Sequence, residues 1–219
     1  MSPLRNALSA FGLAAALFLT GGSAPGYAAG IAQDERAAVI FSYHRVGEDE
    51  YPANNIRMEQ FEAHLRELRE GDYNVMGLPA VINALRNGDK LPPRTVVLTF
   101  DGGHRSIMEN AAPLLLKNDL PFTIFIATDN TDRATTEYMS WDDVKKLARN
   151  NLVTVGMHPA TYQRLDNAPA AELLRQLNTA RAAFRDNLGA EPRFFAYPFG
   201  EYSKAYRDVI EKQGFAAAF

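Results

Sequence analysis

The chain has 219 residues, enough for one domain with a sizeable core. Lys and Arg number 23 against 26 Asp and Glu, for a net charge of −3, and no basic block stands out, which excludes nucleic-acid binding by electrostatics. There is no cysteine, so disulfides, thiolate zinc sites, cysteine nucleophiles and a lipidated N-terminal cysteine are all ruled out.

The N-terminus has the layout of an export signal. Arg5 supplies a positive start, Ala7 to Leu19 form an apolar stretch broken only by Ser9 and Gly12, and small residues follow through Ala29. Cleavage is expected after Ala28 or Ala29, so residues 1–29 are read as a signal peptide. The apolar run is too short for a membrane span. The mature protein is therefore expected in the periplasm or outside the cell, with no stable membrane span. The folded domain is expected over residues 37–219.

Short β-rich runs then alternate with amphipathic segments. Ala38 to Tyr43 reads as a buried strand. Met58, Phe61, Leu65 and Leu68 fall at helical spacing, with Gly71 as the stop. Tyr73 to Met76 is a second short strand, and Pro79 to Asn87 a helix with proline at its start and Gly88 past its end. Thr95 to Phe100 is the clearest strand, followed by a helix from about Ser106 to Lys117 and a strand from Phe122 to Ala127. Ser140 is an N-cap for a helix starting at Trp141, and Asp143 three residues on completes an acidic capping box. A strand at Leu152 to Val155, a helix at Ala170 to Leu188, a strand at Phe194 to Tyr197 and a helix at Ser203 to Gln213 follow. Phe215 to Phe219 reads as the opening of another strand. A half-formed strand leaves backbone unpaired, so the domain is expected to be incomplete at its C-terminus.

Strands alternating with helices predict a parallel α/β sheet. No glycine-rich dinucleotide fingerprint follows the first strand, which disfavours a Rossmann fold and favours a closed or nearly closed β/α barrel. Such barrels place their chemistry at the C-terminal strand ends. Three segments put polar residues there: Thr99-Phe100-Asp101-Gly102-Gly103-His104, His158-Pro159-Ala160-Thr161-Tyr162 and Tyr197-Pro198-Phe199-Gly200. Asp101 and His158 would converge at one mouth, able to hold a metal or share a proton. The alternative for each is structural, with Asp101 capping the next helix and His158 bound by backbone. His44, after the first strand, either lines the mouth and meets substrate or is a hydrogen-bonded wall residue. Trp141 is either a sugar-stacking platform or a packing anchor.

These segments, with Phe41-Ser42-Tyr43-His44-Arg45-Val46, resemble the polysaccharide deacetylase family (the NodB-homology domain, carbohydrate esterase family 4). The order and spacing match over nearly the whole mature chain. The resemblance implies a distorted, NodB-like β/α barrel of parallel strands. It implies hydrolysis of a carbon–nitrogen bond other than a peptide bond, removing N-acetyl groups from an envelope or extracellular glycan or chitooligosaccharide. In the family a divalent metal, usually zinc, is held by one Asp and two His, polarises the acetyl carbonyl and activates water, while a second Asp is the base.

Carried onto this chain, Asp101 falls on the base and His158 on the first metal histidine. Gly102 replaces the metal-binding Asp, and Tyr162 replaces the second histidine. Ala196 stands where many members carry an arginine that orients the base. Phe199 replaces a tyrosine whose backbone N–H serves the oxyanion. His104 is a candidate surrogate ligand, because it lies three residues beyond Asp101 on the same loop. No histidine follows His158 to act as the acid. The expectation is thus a metal-dependent glycan N-deacetylase with substituted ligand positions. The alternative is a non-catalytic carbohydrate-binding relative.

Overall fold

The computed structural model describes residues 35–133 and 135–219, so the expected signal peptide lies outside the described residues. The organising element is a parallel sheet. Its central strand is β5 (Thr95–Asp101), flanked on one side by β1 (Val39–Tyr43) and on the other by β6 (Phe122–Ile126). The order continues through β7 (Val153–Met157), β8 (Phe194–Phe195) and β9 (Ala217–Ala218). β4 (Asn74–Val75) pairs with the start of β5, so seven strands run parallel. A separate parallel pair, β2 (Arg45–Val46) and β3 (Asn55–Ile56), follows β1.

Helices cover the sheet. They are α1 (Met58–Glu70), α2 (Leu78–Asn87), α3 (Ala112–Lys117), α4 (Thr128–Asp132), α5 (Trp141–Ala148), α6 (Ala170–Leu188) and α7 (Lys204–Glu211). Of these, α2 alone packs Leu78 and Val81 against the inward face. Strand alternation divides β5 between two environments. Val96, Leu98 and Phe100 enter the main core with Phe61, Leu65, Phe122, Leu173 and Phe184. Val97 faces the other way, into a smaller cluster with Leu78, Val81, Phe125 and Phe194. Each fully buried Phe or Leu adds about 1.5–3 kcal/mol relative to exposure. Along that same inward face, Thr99 and Asp101 line a cleft together with Ile40 and Ser42 of β1 and with Phe219 beyond β9. Residues from both ends of the sheet meet in one cavity. The sheet is therefore curled into a half-barrel, a distorted form of the expected β/α barrel.

The caps explain several boundaries. Ser140 Oγ accepts from the Asp143 N–H at 3.3 Å, and Asp143 Oδ2 accepts from the Ser140 N–H at 2.9 Å. Gly88 ends α2 at φ 76°, where a side chain is disfavoured. The helix expected from Ser106 to Lys117 is instead a π turn over Ile107–Ala111 followed by α3. Pro113 has no N–H for the regular ladder, and the widened turn accommodates it. β7 runs on through Gly156 to Met157 rather than stopping at Val155. A Cβ at Gly156 would lie 2.5 Å from the Phe125 ring, so only glycine lets the strands sit this close.

Candidate active site

The sheet delivers Asp101 and His158 to one place. Asp101 ends β5 and His158 follows β7, its N–H donating to the Ile126 carbonyl at 2.9 Å. Asp101 Oδ1 lies 3.5 Å from His158 Nε2. The other end of each side chain is tied down. Ser42 Oγ donates to Asp101 Oδ2 at 2.6 Å, and His158 Nδ1 sits 2.8 Å from the Ala196 carbonyl. A carbonyl only accepts, so Nδ1 carries a proton and the ring turns Nε2 toward the carboxylate. His158 is fully buried and its Nε2 has no hydrogen-bond partner in the protein. Burial pushes the Asp101 carboxyl up. The His158 imidazole facing it, with the Ser42 hydroxyl, outweighs burial and holds Asp101 below the usual carboxylate range.

The two substituted positions are filled by other groups. Gly102 and Gly103 turn the chain with φ of 91° and 70°. A Cβ at Gly102 would lie 2.8 Å from His104 Nε2, so the His104 ring takes the room that a side chain at 102 would need. His104 is buried and stacks on Tyr138 with ring centroids 5.0 Å apart. Burial, aided by the Arg45 charge, lowers its pKa to about 3, so it is neutral. Tyr162 stands edge-on to the His158 ring at 4.8 Å and packs against Phe199 at 4.7 Å. Its hydroxyl lies 3.3 Å from His44 Nε2 and also meets the backbone of Phe199. Burial and the Asp101 charge push the phenol up to about 12. Burial lowers the His44 pKa, against the pull of Asp101.

Phe199 has φ 61° and a half-exposed ring, and it lines the cleft with His44, Asp101 and Tyr162 in a cavity of about 520 Å³. Trp141 is not on that wall. Its ring meets Phe184 edge-on at 5.6 Å, and its Nε1–H donates to Asp132 at 2.6 Å, so it anchors α5 to α6. The sugar-stacking expectation for Trp141 finds no support in this position.

Two residues of the site were not singled out in the sequence. Ser42 alternates with Ile40 and His44 along β1, and that two-residue period was the signal that it shares their face. Gln176, buried on α6, accepts from the Thr161 N–H at 3.0 Å and from its hydroxyl at 3.2 Å, and so holds the loop that carries His158 and Tyr162. Nothing in the helical pattern marks Gln176 as more than a polar residue on a half-buried turn.

The chain belongs to the polysaccharide deacetylase family, whose model matches residues 88–218. It is 24% identical over 210 residues to the poly-beta-1,6-N-acetyl-D-glucosamine N-deacetylase of Staphylococcus aureus (strain MSSA476), covering 84% of this chain and 72% of that protein. The structure of IcaB from Ammonifex degensii superposes with a TM-score of 0.74 at 25% identity, covering 81% of each chain. A de-N-acetylase from Aggregatibacter actinomycetemcomitans shares the fold, with a TM-score of 0.74 at 18% identity, covering 83% of this chain and 87% of that one.

The residues present do not fit the three-ligand metal arrangement. Asp101 and His158 offer two donors. Gly102 offers none and its space is taken. The Tyr162 phenol stays protonated at neutral pH. His104 does not complete the set: among the described residues no three His, Asp or Glu side chains gather as a metal-binding group.

Proposed function

We propose that this domain acts on an N-acetylated envelope or extracellular glycan of the poly-β-1,6-N-acetylglucosamine type, as a deacetylase-type hydrolase whose chemistry rests on Asp101 and His158. The observation that carries the reading is the buried Asp101–His158 pair, 3.5 Å apart and fixed at both ends by Ser42 and Ala196, at the mouth of the cleft. The similarity to the S. aureus N-deacetylase supports the substrate class. The leader-like N-terminus supports export to the periplasm or beyond, and among the described residues no helix is long and apolar enough to cross a membrane.

The acetamido group enters over Asp101, with Ile40, Phe125 and Phe219 forming the apolar wall for the methyl. Asp101 accepts a proton from a water, and His158 holds the carboxylate in place. The water oxygen bonds to the acetyl carbon, Asp101 returns its proton to the nitrogen, and the C–N bond breaks, giving acetate and a glucosamine unit. The Phe199 backbone faces the oxyanion, once the Tyr162 hydroxyl gives way to it. Losing a single supporting partner of a metal ligand costs about 10–100-fold. With two ligand side chains replaced, turnover is at least that far below a complete family member, and no step here runs through a metal.

A second reading, glycan binding without hydrolysis, is favoured by one observation. His104 and Tyr162 occupy the places that the missing ligands would take. Acetate release from N-acetylated β-1,6-glucosamine oligomers, measured with calorimetric binding of the same oligomers, separates the two. The hydrolase reading expects slow release that Asp101→Asn abolishes while binding persists. Release unchanged in Asp101→Asn refutes the role of Asp101. Binding with no release by the parent protein establishes the second reading.

A further inference from the structure

An amide carbonyl under attack by water needs a cation or hydrogen-bond donors at the oxygen where negative charge builds. The ligand set for a cation is incomplete here, so donors in the cleft wall must meet that charge. Most side chains of the wall that could donate are committed elsewhere. The Ser42 hydroxyl is bound to Asp101 at 2.6 Å, and Thr99 is only 3% exposed. The Tyr197 ring packs on Tyr206 and Tyr202, and its hydroxyl senses Glu211 and Arg207, which line a different hollow. Among the described residues that line the cleft, His44 and Tyr162 remain, and they touch each other.

The Tyr162 hydroxyl is held where such a donor belongs. The Phe199 N–H donates to the phenol oxygen, so in the empty cleft that oxygen sits where the acyl oxygen would meet the same N–H. The ring is clamped. It stands edge-on to His158 with centroids 4.8 Å apart and lies against Phe199 at 4.7 Å. Its neighbour Thr161 is bound twice by Gln176, at 3.0 and 3.2 Å. Only the hydroxyl hydrogen is free to turn. The other neighbour of the hydroxyl, His44 Nε2, is 3.3 Å away. A well-formed hydroxyl bond spans about 2.5–3.0 Å, so little is lost when the hydrogen turns elsewhere. Burial and the nearby Asp101 charge keep the phenol protonated, so it has a hydrogen to donate at neutral pH.

We propose that Tyr162 is a catalytic donor: its hydroxyl, with the Phe199 N–H, hydrogen-bonds the acyl carbonyl oxygen and takes the electrophile's part that a metal plays where the ligand set is complete. This rests on the reading of the cleft as a site for an N-acetyl group. The incoming oxygen displaces the phenol oxygen from the Phe199 N–H, and the hydroxyl turns its hydrogen to the newcomer. As water, giving its proton to Asp101, bonds to the acyl carbon, the C=O electron pair moves onto the oxygen, where both donors hold it. No proton leaves the phenol. The pair returns as the C–N bond breaks, and the proton on Asp101 passes to the nitrogen. The tyrosine at 162 thus replaces one electrophile by a weaker one.

The test measures acetate release and calorimetric binding of a fully N-acetylated β-1,6-glucosamine tetramer by the full chain at neutral pH. It compares the parent, Tyr162→Phe, and protein carrying 3-fluorotyrosine at 162. Phenylalanine keeps the ring and its packing. It is expected to lower kcat by about 10²–10³-fold, the loss of one oxyanion donor. Binding should weaken only about five-fold, the loss of one ordinary hydrogen bond. Fluorine acidifies the phenol and strengthens it as a donor, so the fluorotyrosine protein should exceed the parent in kcat, which a tyrosine that only packs would not produce. The proposal is overturned if Tyr162→Phe turns over like the parent, if its whole loss lies in KM, or if the fluorotyrosine protein is no faster than the parent. If the parent releases no acetate, the hydrolase reading falls and calorimetry decides. The donor role then requires Tyr162→Phe to bind the acetylated tetramer about five-fold more weakly while binding the free-amine tetramer, which has no carbonyl, like the parent. Equal binding of the acetylated tetramer by both proteins overturns it, and a parent that ignores that tetramer overturns the glycan reading with it.

Discussion

Placing Asp at position 102 restores the family's motif on paper, but the structure predicts that it will strain the loop. Gly102 has φ 91°, and a left-handed backbone costs a residue with a side chain about 1–2 kcal/mol. The new Cβ would lie 2.8 Å from His104 Nε2 and 3.2 Å from its Cδ2. Relieving that crowding means moving a buried ring off Tyr138, an overpacking cost of about 1–3 kcal/mol. Gly102→Asp alone should therefore destabilise by about 2–5 kcal/mol. The steric part disappears if residue 104 is small. A double-mutant cycle of Gly102→Asp and His104→Ala, followed by urea unfolding through the single Trp141, should show a favourable coupling of about 1–3 kcal/mol. Adding Tyr162→His to that pair should let the protein retain zinc on equilibrium dialysis, whereas Gly102→Asp with Tyr162→His but with His104 intact should not. Strictly additive unfolding energies, or zinc retained with His104 in place, would refute the argument that His104 blocks the site.

Three other outcomes follow from the same coordinates. His104 has a folded pKa of about 3 against an ordinary 6.5. The unfolded chain therefore binds a proton that the folded chain refuses, and stability should fall as pH drops from 6.5 toward 3, by about 1.4 kcal/mol per pH unit from this group. His104→Phe should flatten that limb; parallel pH–stability curves between pH 7 and 5 would contradict it. Gln176→Leu should cost about 1–3 kcal/mol by stranding the Thr161 N–H, and weaken acetylated-oligomer binding in calorimetry. Ser140→Ala should cost about 1 kcal/mol in a thermal melt and leave that binding unchanged.

How much was legible in the chain depended on whether a signal repeats or is solitary. The runs at Thr95–Asp101 and Phe122–Ile126 are rich in β-branched and aromatic residues, and α1, α2 and α6 carry periodic stripes with glycine stops. These elements appear where the sequence placed them. β2 and β3 are two residues each and α4 is Thr-Asp-Asn-Thr-Asp, a run of poor helix formers, so tertiary contacts decide them. At the site, Asp101 and His158 were readable because strand ends converge in this architecture. The reach of the His104 ring into the space beside Gly102 depends on two consecutive left-handed glycines, which spacing alone does not reveal. Ser42 and Gln176 act through hydrogen bonds with residues 59 and 15 positions away.

The tie between Gln176 and Thr161 also runs outward. Gln176 Nε2 donates to Glu172 at 2.9 Å, and Glu172 is clasped by Arg175 through bonds of 2.7 and 2.6 Å. A solvent-facing ion pair on a helix is usually dispensable, but this one is joined through the Gln176 side chain to Thr161, the neighbour of Tyr162. Random mutagenesis should therefore find remote loss-of-binding variants at Glu172, far from any sugar contact, and surface-charge redesign of this helix should leave that carboxylate in place.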